Sequence, residues 1–320
     1  MKRGVRIVKL LFTLLCSFAG SILMAQDYPT HITVAKDGTG DFTTIQEAIC
    51  SAKAFPDYPI RIEVKAGVYR EKVHVFAWNT NLSIIGDAGG KTVISFDDHF
   101  GKIHLGRNST FHTATFKVEA NDFYASDLTI ENTAGDIGQA LAIFVEGDRV
   151  VFERCELLGN QDTMYLTGEN FRNYFIDCLI TGTTDFIFGN ATALFEKCEI
   201  RSKKASYITA ASTPKEARFG FVFKKCQLTN EGVPNNSTYL GRPWRKYAQT
   251  VFIQCHLEAH IHPEGWKEWN AEGTAKYGEF KSVGPGASVN SRVPWSKQLT
   301  QAESQNFTRE QIFRGWKPMN

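Results

Sequence analysis

Two aspartates in this sequence share a phase. Asp162 lies seven residues after Cys155, and Asp185 lies seven after Cys178. If both stretches belong to successive turns of one repeating structure, the carboxyls sit at one angular position on strands about 4.8 Å apart. Two like charges that close disfavour joint ionisation, so one group gains proton affinity while the other stays charged. Such a pair suits a nucleophile beside a proton donor. The neighbouring residues, Gly159-Asn-Gln161-Asp162-Thr-Met-Tyr165 and Gly182-Thr-Thr-Asp185-Phe-Ile-Phe188-Gly189-Asn190, are apolar, aromatic or turn-forming. A charge buried there without partners is costly. Leu240-Gly241-Arg242-Pro243-Trp244 adds a guanidinium, which favours a bidentate carboxylate, and a flat ring that suits a sugar. Spacing alone leaves a second reading open, a structural side-chain ladder along a solenoid.

The elements that must hold these residues are legible in a repeat. Phe152-Glu-Arg-Cys155-Glu-Leu157, Phe175-Ile-Asp-Cys178-Leu-Ile180, Phe195-Glu-Lys-Cys198-Glu-Ile200, Phe223-Lys-Lys-Cys226-Gln-Leu228 and Phe252-Ile-Gln-Cys255-His-Leu257 share one pattern. Phe123-Tyr-Ala-Ser126-Asp-Leu128 extends it upstream with serine in the cysteine slot, giving spacings of 29, 23, 20, 28 and 29 residues. Periods of that size indicate a solenoid. Cysteine and the aliphatic two residues later share one face of a short strand. No helical periodicity separates the units, which argues against a βα solenoid or barrel. The expected fold is all-β: a single right-handed parallel β-helix in which the five cysteines stack inside as free thiols, with disulfides as the alternative.

Asp41-Phe-Thr-Thr44-Ile-Gln-Glu47-Ala-Ile49 predicts a helix opened by a capping box and placed to cover the first coil. Residues 59–65 alternate as a half-buried strand. Beyond about residue 290 the repeat ends, and a tail with Trp295, Phe307, Phe313 and Trp316 is expected along the side of the solenoid.

The chain has 320 residues, 42% apolar and 12% aromatic, which excludes long disorder and fibrous structure. Residues 1–25 read as a secretory signal peptide: Lys2, Arg3, Arg6 and Lys9 precede an apolar run, and Ala25 offers a cleavage point. Ser17 and Ser21 interrupt that run, and no later stretch approaches the roughly 20 apolar residues of a membrane span. A lipoprotein signal at Cys16 is the weaker alternative. The four leader bases, taken from 36 Lys and Arg, leave 32 against 34 acids, a net charge of −2. Nothing in that balance indicates nucleic acid as a partner. Without a Pro-, Gly- or Ser-rich linker, residues 26–320 are expected to form one domain.

These motifs, in this order, resemble those of the pectin methylesterases (pectinesterases), carbohydrate esterases built on a right-handed parallel β-helix. The resemblance runs from Gly67-Val-Tyr69-Arg-Glu71 through Asn132-Thr-Ala-Gly135, Gln139-Ala140, the two aspartate segments and Leu240–Trp244 to Tyr277-Gly-Glu279-Phe280 and Gly284-Pro-Gly286. It implies Asp185 as nucleophile, Asp162 as general acid/base, Gln161 as oxyanion donor and Gln139 as its assistant. Arg242 is implied to hold Asp185 ionised and aimed, and to contact substrate. Thr110 and Trp244 match sugar-contacting positions, and Tyr165, Phe186 and Trp269 are expected to line the groove. Asn160 and Met164 depart from the aromatic and leucine of many relatives, and the loop before Gln139 is short.

The implied reaction is hydrolysis of methyl esters on a polygalacturonate (pectin) chain, with water as second substrate. No cofactor or metal is called for: the eight histidines form no His-Glu-x-x-His motif, and no Gly-x-Ser-x-Gly elbow is present. The expected protein is an exported monomer with no transmembrane partner, located in the periplasm, at the envelope or outside the cell. A glycoside hydrolase acting on the polygalacturonate backbone also uses paired carboxylates, and a non-catalytic polysaccharide-binding β-helix also presents aromatic grooves. The Gln161-Asp162 adjacency and Arg242 favour the esterase.

Overall fold

The computed structural model describes residues 28–271 and 273–318. The signal peptide expected at residues 1–25 lies outside them. Among the described residues, short strands stack into three parallel sheets of eleven, eight and seven strands. The middle coils each contribute one strand to each sheet in turn, the arrangement of a right-handed parallel β-helix, and the end segments contribute to fewer.

Register explains the repeat. Ile62, Ile84, Ala125, Phe152, Phe175, Phe195, Phe223 and Phe252 are successive ladder partners of the first sheet. All point into one interior core. The phenylalanine rings from Phe152 to Phe252 stack face to face, with centroids 4.4–5.4 Å apart. Offset stacking adds to what their burial contributes.

After each of these strands the chain turns through one residue in the left-handed region: Arg154, Asp177, Lys197, Lys225 and Gln254 have φ between 50° and 55°. The cysteine that follows points inward. Cys155, Cys178, Cys198, Cys226 and Cys255 are buried and unpaired, and the four from Cys178 onward direct Sγ at the carbonyl of a phenylalanine on the previous coil, 3.4–3.6 Å away. Small, weakly polar side chains fill this corner on five successive coils.

The upstream extension of the repeat is displaced by two residues. Phe152 pairs with Ala125, and Leu157 with Ile130, so Leu128 stands opposite Cys155 and Ser126 does not. Asp127 (φ 58°) makes the corner turn there. Phe123 and Ala125 both face inward because they are two apart on one strand, which is why the sequence pattern admits either alignment.

Helix Ile45–Ser51 buries Ile45, Ala48 and Ile49 against the core at the N-terminal end. Thr44 caps it by accepting from the Glu47 amide. The reciprocal half of the expected capping box is replaced: Glu47 takes the Thr44 hydroxyl, and the carboxylate of Glu71 accepts the amides of Ile45 and Gln46 at 3.0 Å each. The opposite end closes around an ion pair between Glu279 and Arg292, at side-chain exposures of 2% and 4%. Arg292 also donates to the carbonyls of His262, Pro263 and Gly286. Of the tail aromatics, Phe307, Phe313 and Trp316 pack on the outer face of the first sheet, whereas Trp295 packs beside Tyr277 against the interior core.

Candidate active site

Met164 and Ile187 are ladder partners on the third sheet. Two residues before each, Asp162 and Asp185 therefore occupy one position on adjacent coils. Both adopt the left-handed backbone conformation, with φ of 63° and 47°. Aspartate tolerates that region better than most residues, and the turn it makes lifts the carboxyl out of the strand ladder. The Asp162 amide donates to the Thr184 carbonyl at 3.0 Å, and the Asp185 amide to that of Tyr207 at 2.8 Å. The two acids are thus held by consecutive coils.

Arg242 reaches Asp185 with both arms of its fork: Nε donates to Oδ1 at 3.0 Å and Nη2 to Oδ2 at 2.6 Å. Its guanidinium lies against two rings, with Cζ 4.0 Å from the centroid of Tyr207 and 4.0 Å from that of Trp269. Two cation–π contacts add to the hydrogen bonds in holding the fork. Sequence reasoning missed Tyr207. Its position two residues before Thr209, the ladder partner of Ile187, places it one coil beyond Asp185.

Burial raises the proton affinity of both acids. Asp162 stands well above the usual carboxylate range, first because it is desolvated and then because the charge of Asp185 faces it. Asp185 is raised by desolvation too, but the hydrogen bonds and charge of Arg242 draw it back. Of the two, Asp162 therefore holds a proton the more tightly. Arg242 thus acts in the expected direction, lowering the proton affinity of Asp185, while burial raises it by more.

Gln139 and Gln161 come from adjacent coils, with the Ala140 amide donating to the Gln161 carbonyl at 3.2 Å. Both are partly exposed. Thr110 lies within the turn of helix Gly106–His112 and is 7% exposed. The next residue, Phe111, packs on Tyr165 with centroids 4.8 Å apart.

The outward face of the third sheet carries Phe144, Tyr165 and Phe188 as ladder partners, with ring centroids 5.0 and 4.8 Å apart. Trp244 meets Phe188 edge-on at 5.8 Å. This strip of rings runs across the coils beside the two acids. Phe186, expected in the groove, is not part of it. It is 0% exposed and belongs to the interior core, packed so tightly on Gly182 that a Cβ there would lie 2.2 Å from the phenylalanine Cβ. The phase that aligns the aspartates corrects the assignment: Tyr165 and Phe188 both lie three residues after an aspartate, whereas Phe186 aligns with buried Thr163. Among the described residues, no group of three or more His, Cys, Asp or Glu side chains is arranged to hold a metal.

This arrangement can attack an acyl carbon with one carboxylate, protonate a leaving group with the other, and offer amide donors to an oxyanion. Known proteins share its frame. Residues 31–316 match the pectinesterase family. A probable pectinesterase/pectinesterase inhibitor of Arabidopsis thaliana is 41% identical over 309 residues, covering 89% of this chain and 57% of the relative. This chain thus spans less than two thirds of that plant protein. The solved structure of pectin methylesterase from carrot superposes with a TM-score of 0.82 at 35% identity, covering 89% of this chain and 93% of that one. A pectin methylesterase in complex with a hexasaccharide superposes with a TM-score of 0.79 at 31% identity, over 92% of this chain and all of the other. On its sequence and its coils alike, this chain belongs to the pectinesterase family.

Proposed function

We propose that the protein is an aspartyl esterase that removes methyl groups from methyl-esterified homogalacturonan, releasing methanol and leaving pectate. The observation that carries this reading is the register of Asp162 with Asp185, combined with the two-armed hold of Arg242 on Asp185 alone. It gives two chemically unlike carboxyls side by side.

Asp185, ionised on Arg242, attacks the C6 carbonyl of a methyl galacturonate. The amide donors of Gln161 and Gln139 meet the oxyanion as it forms. Collapse breaks the bond to the methoxy oxygen, which takes the Asp162 proton and leaves as methanol. The product is an anhydride between Asp185 and the sugar carboxyl. Asp162, now a carboxylate, removes a proton from water; the hydroxide attacks the galacturonyl carbonyl, and Asp185 departs ionised. A carboxylate is a weak nucleophile towards an ester, so positioning and oxyanion stabilisation carry much of the rate.

Tyr165 and Trp244, partly exposed and packed on the more buried Phe144 and Phe188, supply apolar faces on which sugars can rest, and the solved relative bound to a hexasaccharide supports an oligosaccharide as ligand. Export belongs to the same reading, since a pectin polymer lies outside the cell and the N-terminal segment has the composition of a leader.

The test is to follow methanol, new carboxylates and chain length on methylated pectin. Wild type should release methanol without shortening the chain. Asp185→Asn should abolish release in a folded protein, and Asp162→Asn should lower it by about 10²–10⁴-fold. Gln161→Ala should reduce kcat by roughly 10²–10³-fold with little change in KM. Chain shortening without methanol would replace the esterase by a glycosidase.

A further inference from the structure

The three turns that carry Gln139, Gln161–Asp162 and Asp185 are all tied to one short segment, residues 203–207. Lys203 sends its ammonium back to the turn before Gln161, donating to the Gly159 carbonyl at 3.1 Å and to Asn160 Oδ1 at 2.8 Å. Lys204 reaches one coil further, to Asp136, at 2.7 Å. Asp136 stands three residues before Gln139, and its other carboxylate oxygen accepts from the Thr183 hydroxyl at 3.2 Å. Ser206 and Thr184 share a hydrogen bond at 2.7 Å, and the Tyr207 carbonyl takes the Asp185 amide at 2.8 Å.

These contacts have a physical task. The segment before Gln139 contains Gly135 and Gly138, at φ of 87° and 125°, on either side of Asp136 and exposed Ile137. Glycines on both sides leave such a loop many conformations, so something must select one. Asp136 does, through partners on two other coils. Asn160 is in a similar position, its side chain anchored by a lysine ammonium from two coils away. A displacement of about 1 Å at a reacting group can cost 10²-fold in rate, so anchors of this kind act on turnover without touching substrate.

We propose that Lys203 and Lys204 form a two-pronged positioning brace, Lys204 setting Gln139 through Asp136 and Lys203 setting Gln161 through Asn160. The proposal rests on the esterase reading for its kinetic consequences, but the brace has a consequence independent of activity. A competing role for the same lysines is direct binding of free carboxylates on the polymer, and it predicts a different kinetic signature.

The experiment measures kcat, KM, melting temperature and amide hydrogen exchange for Asp136→Asn, Lys204→Gln, their double variant, the reversed pair Asp136→Lys/Lys204→Asp, and Lys203→Gln. Asp136→Asn and Lys204→Gln should each lower kcat by about 10-fold while KM stays within about twofold. Their double variant should be no worse than either single, because both remove one contact. The reversed pair should recover part of the loss. Lys203→Gln should lower kcat independently, multiplying with the others. In all variants of the 136–204 pair, amides of residues 134–140 should exchange faster while the strands of the core are unchanged.

Losses confined to KM would assign the lysines to substrate carboxylates and overturn the brace. So would multiplicative losses in the double variant, or losses that track a fall in melting temperature. If wild type released no methanol, the esterase reading would fall on its own. Exchange at 134–140 would still decide the brace, and an unchanged rate there would reject it.

Discussion

Arg242 and Asp185 lie 57 residues apart in the chain and meet through two hydrogen bonds of 3.0 and 2.6 Å, with the guanidinium carbon 4.0 Å from the ring centroids of both Tyr207 and Trp269. The planar fork, and not the charge alone, sets the direction of the carboxylate. Arg242→Lys keeps one positive charge but loses the second hydrogen bond and the stacking geometry. We expect kcat to fall by about 10²-fold. Arg242 opposes the burial that raises Asp185. Weakening it raises Asp185 further, so the acidic limb of the pH–rate profile should move to higher pH. A profile superimposable on that of wild type would assign Arg242 to substrate binding instead.

The raised proton affinity of Asp162 has a consequence for stability. The carboxyl titrates at about 3.9 when unfolded and well above that when folded. A group raised on folding contributes stability that is fully present below its unfolded value and is lost as pH rises through the folded one. Asn does not titrate. Asp162→Asn should therefore gain stability over wild type as pH rises from about 4 towards neutrality, by up to about 1.4 kcal/mol per pH unit. Thermal melts of both proteins across that window check this; a pH-independent difference would mean that Asp162 is not desolvated in the way described.

Phe186 and Phe188 differ by two positions in sequence and by opposite surroundings in the fold. Phe188→Ala removes a ring from the outer strip, where it is 5% exposed, and should weaken pectin binding while costing less stability than the core substitution. Phe186→Ala opens a cavity in the core beside Gly182 and should cost about 3–5 kcal/mol of stability. Denaturant titrations and KM values for the pair decide the assignment. Equal effects on both quantities would show that the two rings are not divided between core and groove.

The Glu279–Arg292 pair closes the C-terminal end of the core with almost no solvent contact. Arg292→Met leaves a carboxylate buried without its cation and should destabilise the protein by about 3–5 kcal/mol. Replacing both partners with apolar side chains of similar volume should cost much less, because no lone charge then remains. Chemical denaturation of the single and double variants tests the contrast; similar losses in both would point to packing, not charge, as the source.

The sequence by itself determined what depends on local period and phase. Phe-x-x-Cys every 20 to 29 residues specified short strands, a corner and an inward thiol, and the matched steps from Cys155 and Cys178 put Asp162 and Asp185 on neighbouring coils. The same phase, carried three residues past each aspartate, would have selected Phe188 over Phe186. Near Ser126 the local signal was ambiguous, because residues two apart on a strand share a face and only the pairing of Ala125 with Phe152 distinguishes them. Tertiary structure decided whatever depends on residues far apart in the chain. Tyr207 and Trp269 both come against Arg242, Lys203 and Lys204 reach back two and three coils, Glu71 caps a helix more than twenty residues upstream, and Arg292 neutralises Glu279. Those pairings arise when coils of unequal length stack. Stacking is fixed by the hydrogen-bond ladders of the whole solenoid, and with it the burial that raises both acids and the Arg242 contact that draws Asp185 back.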